Sequence, residues 1–146
     1  MKHNNYKLKY SNFNTITKSS YVIISTYLGD FDGSCKLHQE DEDIQSNYFG
    51  CQIAEMRAIL KFLKLQKLIL KNNYSTLENF NNDLIKMNDY NKNSVEARQL
   101  RKRMYIIKSQ LINKDVQIKN LSNKIYNDIS NYRAIKEKFD NKIKNK

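Results

Sequence analysis

Leu100, Met104, Ile107, Leu111, Ile118, Leu121, Ile125, Tyr132, Ile135 and Phe139 follow one another at alternating spacings of four and three residues, or at seven where a slot is polar. The two polar slots are Lys114 and Asp128. A 3.5-residue period held for about six heptads is the pattern of a coiled-coil seam. Polar residues inside such a seam fix its register and lower its stability. A helix of about 50 residues rises roughly 75 Å at 1.5 Å per residue. No small globular domain encloses that length. The helix therefore pairs with another chain or folds back on helices earlier in its own. The expectation is self-association through these ten seam residues.

The rest of the chain is read around that helix. Proline is absent and there are three glycines, so long uninterrupted helices are favoured over turn-rich β folds. From about Ile44 to Lys71 two apolar rows recur at helical spacing, Ile53, Met56, Leu60 and Leu63 beside Ala54, Ala58, Phe62, Leu65 and Ile69. Asn72-Asn73-Tyr74 is expected to break this helix, and Ser75-Thr76-Leu77-Glu78 to cap a second one with the stripe Leu77, Phe80, Leu84 and Met87, ending near Asp89-Tyr90-Asn91. Asn93-Ser94-Val95-Glu96 caps the long helix. Towards the N-terminus, Tyr21–Leu28 reads as a strand, with Tyr6–Tyr10 as its partner in an otherwise frayed first ten residues. Gly29–Gly33 reads as a turn, Ser34–His38 as a short return strand and Gln39–Asp43 as an acidic loop. The expected fold is mainly α, of the α+β class. A small β element (residues 1–44) packs on a helical pair (45–91), and a basic coiled-coil helix follows (92–146).

Charge is uneven. The chain of 146 residues carries a formal net charge of +11, yet residues 1–44 hold five Lys and six Asp or Glu. Residues 45–146 hold 21 Lys or Arg and nine Asp or Glu. The heavy use of Asn, Lys, Ile and Tyr is what an AT-rich genome produces, so part of this charge is discounted. The densest cluster is Arg98, Arg101, Lys102, Arg103 and Lys108, at the start of the long helix. Such a stripe neutralises phosphates without base specificity, and tyrosines can stack on bases. It equally suits an acidic helix or a merely solvated face. The excess charge favours a polyanion, so the expected partner is nucleic acid or an acidic protein or nucleoprotein surface. No apolar run approaches the ~18–20 residues of a membrane span. No export signal is evident, so Cys35 and Cys51 are expected as free thiols in a reducing cytoplasm.

Candidate chemistry is sparse. His38, Glu40, Asp41 and Asp43 could ligate a divalent metal, but an acidic loop before a helix more often complements the helix dipole, and it lacks calcium-loop spacing. No metal or other cofactor is expected. Asp32 and Glu55 bear a superficial likeness to the first two metal-binding carboxylates of type 1 ribonuclease H. The chain between them is too short for the two strands that fold inserts there. His3 and His38 are the only histidines, and no nucleophile–base pair or phosphate-cradling glycine loop accompanies them. No catalytic residue is expected.

The segment with Gly33, Lys36, His38, Glu40, Asp41, Gly50, Ile53, Ala54, Arg57 and Ala58 resembles one found in small proteins of Gram-positive phages and prophages. There a short strand leads through an acidic loop to a helix, often followed by a Lys-rich coiled-coil tail. Gln39 departs from the Pro usual at its position, and Asp43 from the Phe usual at its own. The resemblance implies a mobile-element origin and no particular activity. The expected function is a non-catalytic interaction protein of a mobile element, acting in the host cytoplasm. It would bind nucleic acid or a nucleoprotein, including a host defence complex, in the manner of an anti-CRISPR inhibitor. The alternative is a virion or scaffolding coiled-coil protein, with a metal-dependent nuclease as an outlier.

Overall fold

In the segment Ser20–Ile24 every second residue is buried, Ser20, Val22 and Ile24, while Tyr21 is exposed. That alternation is a strand with one face on a core. The computed structural model describes residues 5–14, 16–36 and 44–144. They form β1 (Tyr6–Asn14), β2 (Ser19–Thr26), β3 (Gly29–Lys36), α1 (Ile44–Ile85) and α2 (Val95–Lys144). The chain divides into two units, Met1–Phe62 with Lys119–Lys146, and Leu63–Ile118.

The first unit holds an antiparallel sheet in the order β1-β2-β3. Thr26 pairs with Gly29, so the β2–β3 turn is Tyr27-Leu28 and not the expected Gly29–Gly33. The Thr26 hydroxyl explains the shift. It donates to the Gly29 carbonyl at 2.7 Å and accepts from the Leu28 amide at 3.1 Å. Gly29 supplies the φ of +114° that follows, a conformation side chains disfavour. The expected β1 fragment runs on to Asn14, with a register shift between Leu8 and Tyr10.

Val22, Ile24 and Cys35 from the sheet pack with Ile53, Ala54, Ala58 and Phe62 of α1 and Ile125 of α2. Each large apolar side chain so buried contributes about 1.5–3 kcal/mol. Gly33 lets the two layers meet. A Cβ there would lie 1.9 Å from the Ala54 carbonyl oxygen and 2.7 Å from the Ala58 nitrogen. Small residues on both sides therefore set the distance of β3 from α1. Phe31 and Tyr27 contact the Phe62 ring at 5.6 and 5.7 Å between centroids. Phe49 stacks on Tyr132 at 4.3 Å, interplanar angle 7°.

The second unit is an antiparallel pair, α1 from Leu63 onward and α2 up to Ile118, joined by residues 86–94. The expected break at Asn72-Asn73-Tyr74 does not occur, and α1 is one helix of 42 residues. Asn is a mediocre helix former, not a breaker. Ser75-Thr76 does not cap a second helix, because the Thr76 hydroxyl donates back to the Asn72 carbonyl at 3.1 Å, a mid-helix bond. Tyr74, Leu77 and Leu84 stay half-buried, whereas Phe80 and Met87 of the expected stripe are exposed.

The cap on α2 is where the sequence puts it. The Ser94 Oγ accepts from the Ala97 amide at 3.2 Å and the Ser94 carbonyl accepts from the Arg98 amide at 3.1 Å. Ser94→Ala should lower stability by about 1 kcal/mol, read from a urea unfolding curve followed at 222 nm.

Candidate interaction surface

The expected seam is largely turned towards α1 of the same chain. In the second unit Leu100 is buried, and Met104, Ile107, Leu111 and Ile118 are half-buried. In the first unit Ile125 is buried, with Leu121 and Tyr132 half-buried. The last two expected members, Ile135 and Phe139, are 69% and 58% exposed. Half-buried positions there are Lys136 and Asp140, one residue later. A strict 3.5-residue repeat lags a 3.6-residue helix by about 20° per heptad. Over roughly five heptads the lag reaches about 100°, one residue's rotation, so the buried row steps from 135 and 139 to 136 and 140. These contacts give no support to self-association through the seam.

Both polar seam slots have partners. The Lys114 Nζ donates to Gln66 Oε1 at 3.0 Å and to Gln117 Oε1 at 3.3 Å. Lys67 and Asp115 form an ion pair in the same unit. Asp128 pairs with Lys124 one turn away at 3.0 Å. Burial pushes the Lys114 ammonium below its ordinary pKa of 10.5. The folded state then holds fewer protons than the unfolded one between the lowered value and 10.5, so this group's contribution to stability rises with pH across that window. The stability of wild type relative to Lys114→Met should accordingly grow from pH 8 to pH 10.5 in parallel urea titrations.

The cations at the start of α2 behave differently. Arg98, Arg101, Lys102, Arg103 and Lys108 are all exposed. Arg101 Nη2 donates to the Lys92 carbonyl at 2.6 Å and steadies the loop before the helix. Arg103 lies on the rim of a pocket of about 390 Å³ with Asn73, Thr76, Leu77, Ile106 and Ile107. Arg98, Lys102, Arg103 and Lys108 make no ion pair among the described residues. From Ala97 to Lys114 the sequence holds six cations and no acid. Arg98 and Lys102 fall on the side of the helix opposite Leu100, Met104, Ile107 and Leu111, and Arg101 and Lys108 fall on the flank between the two sides.

Three apolar residues share that outward side: Tyr105, Ile112 and Val116, exposed by 72%, 58% and 51%. They stand outside the seam that the sequence pattern marks. They lie at seven- and four-residue spacings, a second row offset from the seam, and polar Ser109 interrupts it. The offset spacing was the available signal.

The candidate catalytic carboxylates have different partners. Glu55 accepts from the Tyr6 hydroxyl at 3.4 Å and lines a pocket of about 490 Å³ with Leu8, Val22, Tyr48 and Cys51. Burial, and then Glu55, pushes the Tyr6 phenol up. Asp32 accepts from Lys61 at 2.8 Å and from the Tyr21 hydroxyl at 3.2 Å. The bonded Lys61 ammonium holds its carboxyl below the usual range. Among the described residues no group of three or more His, Cys, Asp or Glu could hold a metal. His3, His38, Glu40, Asp41 and Asp43 lie outside the described residues. Cys35 is a buried free thiol, raised by that burial, and Cys51 is free and half-buried.

Several residues of the segment from Gly33 to Ala58 have packing roles. Gly33 faces Ala54 and Ala58, and Arg57 Nη1 donates to the Ser34 carbonyl at 2.8 Å, so they fasten β3 to α1. Neither protein-family models, nor curated proteins, nor solved structures show a significant match to the chain. Among the described residues no helix is long and apolar enough to cross a membrane.

Proposed function

We propose that the chain is a non-catalytic interaction protein that holds an acidic macromolecule against the outward face of α2. Nucleic acid, a nucleoprotein such as a host defence complex, and an acidic protein surface all meet that description. The observation that carries the reading is the set Arg98, Lys102 and Lys108, which make no ion pair among the described residues. Lys102 follows Arg98 by four residues, and like charges at that spacing mildly destabilise a helix. A bound anion relieves this repulsion. The start of α2 adds the positive end of its dipole to the same potential. Inhibition of such a partner would come from occupancy rather than cleavage.

A 20-nucleotide single-stranded DNA serves as a generic polyanion probe, with fluorescence anisotropy as the readout. The logarithm of the association constant should fall linearly with the logarithm of salt concentration. About four phosphate contacts give a slope near −3, at roughly −0.7 per contact for single strands. A flat response, or no binding at about 50 mM salt, would contradict the reading.

A further inference from the structure

We infer that the outward face of α2 is the docking seat of one acidic amphipathic helix from a partner protein. The inference rests on the proposed function above and names the class of its acidic partner.

Tyr105, Ser109, Ile112 and Val116 are spaced four, three and four residues apart. That is the spacing of a coiled-coil seam, and Ser109 leaves room for a partner's side chain between larger neighbours. The helix therefore carries two such rows. Leu100, Met104, Ile107 and Leu111 form the one turned towards α1, while Tyr105, Ile112 and Val116 remain more than half exposed. Arg98 and Lys102 continue the outer row at the same four- and three-residue spacings, replacing apolar residues with cations towards the N-terminus. Arg101 and Lys108 run alongside, at the flanking positions that read a partner's charge in paired helices. The one acid at an equivalent flank, Asp115, is already paired with Lys67.

Charge and shape together select the occupant. A phosphate backbone matches the cations but has no use for Ile112 and Val116. A second copy docked parallel through the same face would set Arg and Lys against Arg and Lys, and one docked antiparallel would set Arg98 and Lys102 against Val116 and Ile112, so neither arrangement supplies the cations with carboxylates. An acidic amphipathic helix satisfies both halves, its apolar stripe on Tyr105–Val116 and its carboxylates towards Arg98, Arg101, Lys102 and Lys108. From Arg98 to Val116 the face is about 27 Å long, or roughly five helical turns.

The test uses the full chain and a designed 28-residue helix with Leu at both seam positions and Glu at both flanks. A second peptide replaces each Leu with Ser and keeps the charge. Single-stranded DNA and phosphatidylserine vesicles are the competing probes. The Leu/Glu helix should bind at least tenfold more tightly than its Ser counterpart. Ile112→Ser with Val116→Ser should weaken it at least tenfold and leave DNA binding unchanged. Arg101→Glu with Lys102→Glu should weaken both probes. All four positions are exposed, so matching circular dichroism spectra show that the variants fold. The inference is overturned if the serine pair leaves helix binding intact, or if DNA or the vesicles bind more tightly than the helix. If the charge-reversed pair binds every probe as wild type does, the proposed function fails with it.

Discussion

Gly33→Val should abolish or severely weaken the cooperative folding of the unit that contains the sheet. A Cβ at Gly33 would sit 1.9 Å from one α1 backbone atom and 2.7 Å from another. Backbone cannot swing aside as a flexible side chain can. The sheet must lift from α1, and the cluster of Val22, Ile24, Ile53, Ala54, Ala58 and Phe62 would open with it. Overpacking commonly costs about 1–3 kcal/mol, and a clash with rigid backbone belongs at or beyond the top of that range. Domains have only about 5–15 kcal/mol in hand. Thermal unfolding should therefore shift down by roughly 10 °C or more, at about 2–4 °C per kcal/mol for a chain of this size. Ser34→Ala, one residue away and exposed, removes only a hydroxyl, since Arg57 bonds the Ser34 backbone carbonyl. It should change the midpoint little. Equal midpoints for Gly33→Val and wild type would mean that β3 does not rest on Ala54 and Ala58.

The second large effect is on binding. Replacing Arg98, Arg101, Lys102 and Lys108 with Glu reverses four charges on one side of one helix. Loss of about four phosphate contacts, with repulsion in their place, should lower affinity for the single-stranded DNA probe at least 100-fold at about 50 mM salt. The variant should stay helical. Acidic residues suit the first turns of a helix, so Arg98→Glu and Arg101→Glu oppose the dipole less than the native cations do. One local loss is expected, the bond from Arg101 to the Lys92 carbonyl, which loosens the loop before α2. Retained affinity in a helical variant would leave these cations as a merely solvated face.

The long helix α2 was legible because ten residues repeat one spacing, although the last two, Ile135 and Phe139, are exposed, and the Ser94 cap was legible because a single hydroxyl decides it. The continuity of α1 was not. Asn72-Asn73 followed by Ser75-Thr76 carries the composition of a helix end, and only Tyr74 and Leu77, half-buried in the second unit, show that packing overrides it. The turn at Tyr27-Leu28 was hidden because Gly29 and Gly33 both look like turn residues. Gly29 closes the hairpin, whereas Gly33 is needed for close approach to Ala54 and Ala58 of α1, more than twenty residues further along the chain. At the candidate surface the cations were plain from their density. The apolar row beside them was masked by Ser109 and by the stronger seam on the opposite side of the same helix.

The location of binding tests the account most directly. Titrating the 20-nucleotide DNA into isotope-labelled protein, with amide chemical shifts as the readout, should move signals from Arg98 through Lys108 and leave those of β1, β2 and β3 in place. Shifts concentrated in the sheet or around Glu55, with residues 98–108 unmoved, would contradict the assignment of the outward face of α2 as the contact surface.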